Sequence, residues 1–139
     1  HLGFAAHHSF YTDVAEIAEV SVENGKIRVH KVTCVLDCGQ AVNPDIVRSQ
    51  IEGGVIYGLT ATLYGGLNLE RGAIKESNFH DYPMLRMNES PEIEVVIIDS
   101  GTKPTGVGEP GLPPIAPAVA NAVYKATGQR LRSLPLKLV

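Results

Sequence analysis

Alternating apolar and polar positions near the start of the chain predict a β-hairpin. Apolar and polar residues alternate loosely from Asp13 to Val22, and β-branched residues are frequent in Ile27–Leu36. Between these runs, Asn24-Gly25 is the residue pair typical of a tight two-residue turn. We therefore expect two antiparallel strands joined at this turn.

A helical pattern begins after the second strand. Asn43 is a suitable N-cap, and Pro44 suits the first helical position. Gly65-Gly66 marks the end of the helix. Every fourth position between these signals is apolar, which predicts one face packed against a core: Val47, Ile51, Val55, Leu59 and Leu63.

The second half of the chain predicts one more strand and one more helix. Glu92–Ile98 carries apolar residues on both faces, which is typical of a central strand covered on both sides. A Gly- and Pro-rich loop at 100–114 leads into a helix that runs to Ala126 and stops at Gly128. The order β-β-α-β-α predicts an α+β fold in which residues 1–139 form a single domain, with two helices packed on an antiparallel sheet.

Composition restricts the function classes. Hydrophobic residues make up 44% and charged residues 19% of the 139 positions, so the chain is globular rather than disordered. A net charge of −3 without a cluster of Lys and Arg argues against nucleic-acid binding. The chain has no apolar run of about 18 residues, so we expect no transmembrane segment in it. It begins at His1 without a signal-like stretch, and its start therefore says nothing about compartment.

The cysteines and histidines do not predict a metal site made by protein side chains alone. Cys34 and Cys38 fall in one predicted strand, about 13 Å apart, which is too far for a disulfide. We interpret them as buried small apolar residues. His7 and His8 are adjacent and would point to opposite faces of a strand, and histidines farther along the chain lack the ligand spacing of zinc sites.

The segment Thr105-Gly106-Val107-Gly108-Glu109-Pro110-Gly111 carries the strongest sign of chemistry. Gly106 and Gly108 permit backbone angles that other residues avoid, and they allow a ligand to approach the main chain closely. Pro110 restricts Glu109 to an extended conformation, which holds one carboxylate on a stiff loop before the last helix, whose N-terminus carries partial positive charge. The alternative is a tight loop whose glutamate is solvated or caps the helix.

The first predicted helix contains a second candidate site, Gln50-Ile51-Glu52-Gly53-Gly54. Each glycine inside a helix costs about 1 kcal/mol relative to alanine, so Gly53, Gly54 and Gly58 are expected only where something comes close. Gln50, Gly54 and Gly58 share one face, along which a flat ligand or another backbone could lie. Close packing of the helix on its neighbours is the alternative.

Several motifs follow one another in register along nearly the whole chain. They are Asp37-Cys38-Gly39, Val42-Asn43-Pro44, Gln50-x-Glu52-Gly53-Gly54, Gly58-Leu59, Gly108-Glu109-Pro110 and Pro114-Ile115-Ala116-x-Ala118. Together they resemble the C-terminal part of the molybdopterin-binding large subunits of the xanthine dehydrogenase/aldehyde oxidase family. Within that family, residues 77–83, 86–87 and 91–95 look most similar to the β subunits of isoquinoline 1-oxidoreductases, a group that includes aldehyde dehydrogenases.

The resemblance implies a molybdenum hydroxylase. Glu109 corresponds to the family's catalytic base beside the metal, in a reaction that oxidises an aldehyde or N-heteroaromatic carbon with oxygen from water. The implied cofactor is a molybdopterin dinucleotide, with cytosine as in bacterial relatives. Electrons would leave through [2Fe–2S] clusters in a small partner subunit. The residues that correspond to cofactor contacts are Gln50, Gly53, Gly54, Gly106, Val107 and Gly108, and none of them is a metal ligand.

Length decides what this chain can do alone. Family subunits are several times longer, and their upstream part supplies further cofactor loops and much of the substrate pocket. The resemblance therefore implies a C-terminal fragment that needs the rest of the large subunit and binds the cofactor poorly without it. The alternatives are a non-catalytic module that only packs against partner chains, and a binding protein for another flat ligand along the glycine face.

Overall fold

The structure, a computed structural model that describes residues 1–138, contains a four-stranded mixed sheet with two helices on one face. In chain order its elements are β1 (Leu2–Ser9), β2 (Thr12–Glu23), β3 (Lys26–Asp37), α1 (Pro44–Leu63), β4 (Leu69–Glu70), β5 (Ala73–Ile74), a 3-10 helix at Met87–Glu89, β6 (Glu92–Ile98) and α2 (Ile115–Thr127). The sheet order is β1-β2-β3-β6, and β4 and β5 form a separate small hairpin.

The local signals of the sequence are confirmed at the hairpin and at both helices. Asn24 and Gly25 form the β2–β3 turn with φ of 51° and 74°, as a tight hairpin requires. The Asn43 side chain caps α1 by accepting the N–H groups of Asp45 and Ile46, each at 3.1 Å. Gly128 ends α2 with φ of 76°. The α+β class with two helices on a sheet is therefore correct.

Two features of the sheet differ from the prediction. β1 was not expected, and it pairs antiparallel with β2 along its whole length. β6 was expected to be central, but it is an edge strand that pairs only with β3. This pairing is parallel, so the sheet is mixed and not antiparallel as predicted. Only one face of β6 is covered: Val95 is buried under α1, whereas Val96 and Ile98 remain 42% and 48% exposed.

The core lies between the inner face of the sheet and the two helices. α2 lies across β1 and β2, and the contact is so close that a Cβ atom at Gly3 would come within 2.1 Å of the Ala118 carbonyl oxygen. Cys34 and Cys38 are both free and buried, so their interpretation as small core residues is confirmed. Neither helix formed by residues 1–138 combines the length and apolar character that a membrane crossing requires.

Strand register brings three connections to the same end of the strands. Asp37, the last residue of β3, lies opposite Asp13 of β2 and opposite Ile98, the last residue of β6. The β1–β2 turn, the segment after β3 and the segment after β6 therefore start side by side. The candidate residues lie together at this end of the sheet.

Candidate active site

The loop between β6 and α2 lies along the segment that follows β3. The Thr105 N–H donates to the Cys38 carbonyl and the Gln40 N–H donates to the Thr102 carbonyl, both at 3.0 Å. Gly39 has φ of 65°, and a Cβ atom there would come within 2.2 Å of the Lys103 carbonyl oxygen, so only glycine fits. These contacts fix the first half of the loop to the sheet.

Asp37 joins the same two segments through its side chain. Its Oδ1 accepts the Gly39 N–H at 2.9 Å and the Ser100 hydroxyl at 2.8 Å. These two hydrogen bonds, led by the one from Gly39, lower the pKa of Asp37, because they favour its charged form. The carboxylate is therefore a structural acceptor that joins the end of β3 to the loop.

The β1–β2 turn holds the next part of the loop. The Gly106 N–H donates to the Phe10 carbonyl at 3.1 Å, and the Thr12 hydroxyl donates to the Gly106 carbonyl at 2.7 Å. A Cβ atom at Gly106 would come within 2.7 Å of the Phe10 Cβ. Neither Gly106 nor Gly108 has a positive φ, so the expectation of unusual backbone angles there is wrong. Close packing explains Gly106 instead, and the turn already fills the space beside it.

Glu109 lies on the short main-chain segment 106–112, which we name the arc. The arc is fixed again at its C-terminal end. Pro110 and Gly111 are buried, and a Cβ atom at Gly111 would lie 3.2 Å from the Ile51 carbonyl oxygen of α1. The Leu112 N–H donates to the Glu109 carbonyl at 2.9 Å. The Glu109 side chain is exposed, and its carboxylate forms no hydrogen bond or ion pair with the residues that the structure describes. The main chain is thus held while the carboxylate stays free.

Gln50 of α1 lies beside this arc. Its side-chain Nε2 is 4.0 Å from the position of a Cβ atom at Gly108, the residue before Glu109. The Gln50 side chain is exposed, and within residues 1–138 its amide has no hydrogen-bond partner. The structure therefore brings together three of the residues singled out from sequence: the Gln50 amide lies near Gly108, which directly precedes Glu109 in the chain.

The other predicted site residues face the protein itself, except for one glycine. Cβ atoms at Gly54 and Gly58 would meet the main chain of Gly111 and the Ile115 side chain, at 3.5 Å and 2.5 Å. The helix face shared by these two glycines is thus packed by the chain's own backbone, which was the alternative to a ligand. The Val107 side chain packs against the core. Gly53 differs, because nothing lies within 4 Å of a Cβ atom built there.

Sequence reasoning missed the residues that hold the loop from the β1–β2 side. Thr12 is fully buried, and Phe10 contributes its main-chain carbonyl and its Cβ. A threonine at the start of a strand and a phenylalanine in a turn carry no pattern that predicts such roles. The sequence offers one related signal, the small residues Gly3 and Ala5. They indicate that the strand before this turn packs closely under a helix.

Comparisons with known proteins agree with this arrangement. Residues 4–91 match the family model described as molybdopterin cofactor-binding domain. The chain is 43% identical over 126 residues to the beta subunit of isoquinoline 1-oxidoreductase from Brevundimonas diminuta, a match that covers 89% of this chain and 16% of that protein. The chain spans between 10% and 19% of the length of the curated relatives it matches.

Solved structures with the same fold include two oxidoreductases. Quinoline 2-oxidoreductase from Pseudomonas putida 86 matches with a TM-score of 0.79 and 25% identity, over 84% of this chain and 16% of that one. The aldehyde oxidoreductase from Desulfovibrio desulfuricans matches with a TM-score of 0.77 and 32% identity, over 89% of this chain and 14% of that one. The resemblance to molybdenum-binding subunits of the xanthine dehydrogenase/aldehyde oxidase type is confirmed, and this chain belongs to the molybdopterin cofactor-binding domain family.

Proposed function

We propose that this chain is the C-terminal part of the large subunit of a molybdenum hydroxylase, with Glu109 as the catalytic base. The substrate class is an aldehyde or an N-heteroaromatic compound, whose carbon receives oxygen from water. The names of the similar proteins, an isoquinoline oxidoreductase and an aldehyde oxidoreductase, support both substrate classes. The observation that carries the proposal is the free carboxylate of Glu109 on a main-chain arc that is fixed at both ends.

The residues around Gly108 fit a flat polar cofactor. The Gln50 amide can both donate and accept hydrogen bonds, and the main chain at Gly53 and Gly108 is open to a ring system because no side chain covers it. None of these groups is a metal ligand, so the fit is to a cofactor that brings ligands for its own metal. We propose a molybdopterin dinucleotide with cytosine, with Gly54, Gly106 and Val107 shaping this surface through packing.

In the proposed reaction this chain handles a proton and holds the reacting groups in place. The bound molybdenum cofactor supplies the two-electron oxidation of the substrate carbon. The reaction releases two protons with its two electrons, and Glu109 accepts one of them, since neither of its oxygens is engaged by residues 1–138. Gln50 orients the cofactor through its amide. The anchors at Gly106 and Leu112 limit how far the Glu109 carboxylate can move from its place beside Gly108.

The outer face of the sheet supports a proposal about partners. It carries an apolar strip, which we name the outer strip, bordered by the ion pairs Lys31–Glu92 at 3.0 Å and His8–Asp13 at 2.7 Å. An apolar centre with a charged rim is typical of the core and rim of an interface. The outer strip consists of Phe4, Ile17, Val35, Val96 and Ile98.

We propose that the remainder of the large subunit packs on the outer strip. In the two solved relatives, the fold of this chain makes up 16% and 14% of one longer polypeptide. A small [2Fe–2S] subunit that accepts the electrons completes the proposed assembly. Two of the relatives are themselves named as subunits, one as a beta subunit and one as a molybdenum-binding subunit, which supports an enzyme of several chains.

The test of the proposed function is Glu109→Gln in the enzyme assembled with the upstream part of the large subunit. Losing a catalytic base reduces the rate by about 10²–10⁴-fold, so turnover should fall by at least 100-fold while the molybdenum content stays unchanged. Glu70→Gln, at an exposed carboxylate of β4, is the matched control and should leave turnover as it is. Retained turnover in Glu109→Gln would contradict the proposed base.

A non-catalytic module is the second candidate, and the packing at Gly58 favours it. A Cβ atom at Gly58 would come within 2.5 Å of the Ile115 side chain, so the chain's own packing explains this glycine and part of the sequence signal needs no cofactor. Molybdenum content and pterin absorbance of the purified chain, alone and with the upstream part, separate the candidates. Metal and pterin only in the combined preparation support the enzyme, and their absence from both supports the module.

A further inference from the structure

We infer that Thr12 is a positioning residue for Glu109, acting through the main chain of Gly106. The inference rests on the proposed function and adds a residue to its site. Thr12 begins β2, far from Glu109 in sequence, and it contacts neither cofactor nor substrate in this proposal. Its role is to hold one end of the arc that carries the carboxylate.

Both hydrogen bonds of the Thr12 side chain are directed at the loop. Its hydroxyl has one proton, which is donated to the Gly106 carbonyl at 2.7 Å, so it must accept from the Thr105 hydroxyl at 2.7 Å. Thr12 is fully buried, whereas Thr105 is half-buried and Gly106 is exposed, so water can reach these bonds only from the side of the loop. A side chain of the same shape without the hydroxyl would leave a loop carbonyl and a loop hydroxyl without their partner.

The turn before Thr12 provides a second contact with Gly106. Phe10 and Tyr11 have φ of 53° and 61°, in the left-handed region that bulky side chains rarely adopt. Asn and Gly are the usual residues at such turn positions. Backbone strain of this kind persists where the surrounding structure requires it. Here it directs the Phe10 carbonyl at the Gly106 N–H, so both peptide groups of Gly106 are held by the turn.

Glu109 follows Gly106 by only three residues. On the other side its carbonyl is tied to the Leu112 N–H, and Gly111 packs on α1. Loss of the Thr12 hydroxyl removes one of the two anchors of Gly106, which weakens this end of the arc while its far end stays fixed. A misplacement of about 1 Å at a reacting group can reduce a rate by about 10²-fold. Loss of the Thr12 hydroxyl should accordingly slow turnover without removing any group that binds substrate.

The test compares Thr12→Val, Thr12→Ser and Thr62→Val in the assembled enzyme. Valine removes the hydroxyl at nearly constant volume, and serine restores it. Thr62→Val is the matched control, because Thr62 is also fully buried and its hydroxyl donates to a carbonyl, that of Gly58 within α1, at 2.7 Å. Two properties are measured: amide hydrogen exchange of residues 105–109, and kcat and KM separately.

Thr12→Val should raise the amide exchange rate of residues 105–109 at least about tenfold and lower kcat by about 10–100-fold, with KM and molybdenum content unchanged. Thr12→Ser should recover most of both effects, and Thr62→Val should show neither. Unchanged exchange in Thr12→Val overturns the inference, and so does faster exchange with an unchanged kcat. If Glu109→Gln retains turnover, the proposed function itself fails, and that result is distinct from either outcome at Thr12.

Discussion

Glu16 occupies a core position that the hydrophobic pattern assigns to an apolar side chain. It is fully buried on the inner face of β2, and neither carboxylate oxygen has a hydrogen-bond partner among residues 1–138. Burial raises the pKa of Glu16 to about 8, and the Cys34 thiol lies opposite it on β3. Burial, with the adjacent Glu16 charge, also raises the pKa of the Cys34 thiol. Near neutral pH the folded protein therefore holds Glu16 as a neutral acid.

This carboxyl predicts how stability depends on pH. Its folded pKa of about 8 lies above the ordinary value of 4.5. Its favourable contribution to the free energy of unfolding is therefore complete below pH 4.5 and is lost as the pH rises towards 8. Within that window it should lower the free energy of unfolding by about 1.4 kcal/mol per pH unit. Glu16→Gln should remove this slope and be more stable than the parent at pH 8. Urea unfolding followed by circular dichroism between pH 5 and 8 measures both.

The matched control for this prediction is Glu19→Gln. Glu19 is exposed on the outer face of the same strand, so its variant should keep the parental slope. Parallel pH profiles for the parent and Glu16→Gln would show that Glu16 is not the titrating group.

At the residue scale, the hydrophobic pattern predicted the buried faces of the two helices but missed Glu16, and the site residues stay a prediction. Gln50, Gly108 and Glu109 were chosen from local sequence, and they lie together. Glu16 was missed because alternation in β2 was assigned partly from Ile17, which is on the outer face and 41% exposed. The buried face consists of the even-numbered positions from 12 to 20, two of which are polar. Tertiary packing decides which side of a strand is buried, and a single strand does not contain that information.

At the scale of elements, α1 uses its glycines in two different ways. Gly58 lets Ile115 of α2 approach closely, whereas the surface of Gly53 is open. Alanine is favoured over glycine within a helix by about 1 kcal/mol, and this gain is the same at both positions. Only the space around each Cβ atom differs, so the two positions form a matched pair.

We predict opposite effects of alanine at these two positions. Gly53→Ala should raise the free energy of unfolding by about 1 kcal/mol, because its methyl group meets nothing. Gly58→Ala should lower it, because a Cβ atom 2.5 Å from the Ile115 Cγ2 overpacks the core at a cost of about 1–3 kcal/mol. Denaturant unfolding of both variants measures the difference. Equal stabilisation in both would show that α1 and α2 are not packed as described.

The elements that sequence predicted are those with local signals at their ends. The β2–β3 hairpin has Asn24-Gly25, and α1 has Asn43 and Pro44. β1 was missed because its small residues face the helices and its large ones, such as Phe4 at 58% exposure, face outwards. The position of β6 at the sheet edge was wrong because strand order depends on long-range pairing. Arg48 of α1 hydrogen-bonds the Val95 carbonyl of this edge strand, a contact that no local pattern reveals.

At the scale of the whole molecule, the sheet separates a packed side from an open one. The inner face is covered by α1 and α2, and residues 1–138 provide no cover for the outer strip. The candidate site lies at one end of the strands, where the β1–β2 turn and the segments after β3 and β6 start side by side. A partner seated on the outer strip would therefore lie next to that end. This arrangement lets one neighbouring polypeptide complete both the fold and the site.

The proposed interface at the outer strip can be tested by placing a charged side chain at Val96. Val96→Lys should leave the stability of the chain within about 0.5 kcal/mol, because this side chain is 42% exposed. Co-expressed with the upstream part, the variant should fail to co-purify with it, because a buried unpaired lysine is costly. Met87→Lys, at a 96% exposed apolar residue away from the sheet, should co-purify as the parent does. Full co-purification of Val96→Lys would contradict the proposed interface, and a parent chain that dimerises alone through Val96 would assign the outer strip to a second copy instead.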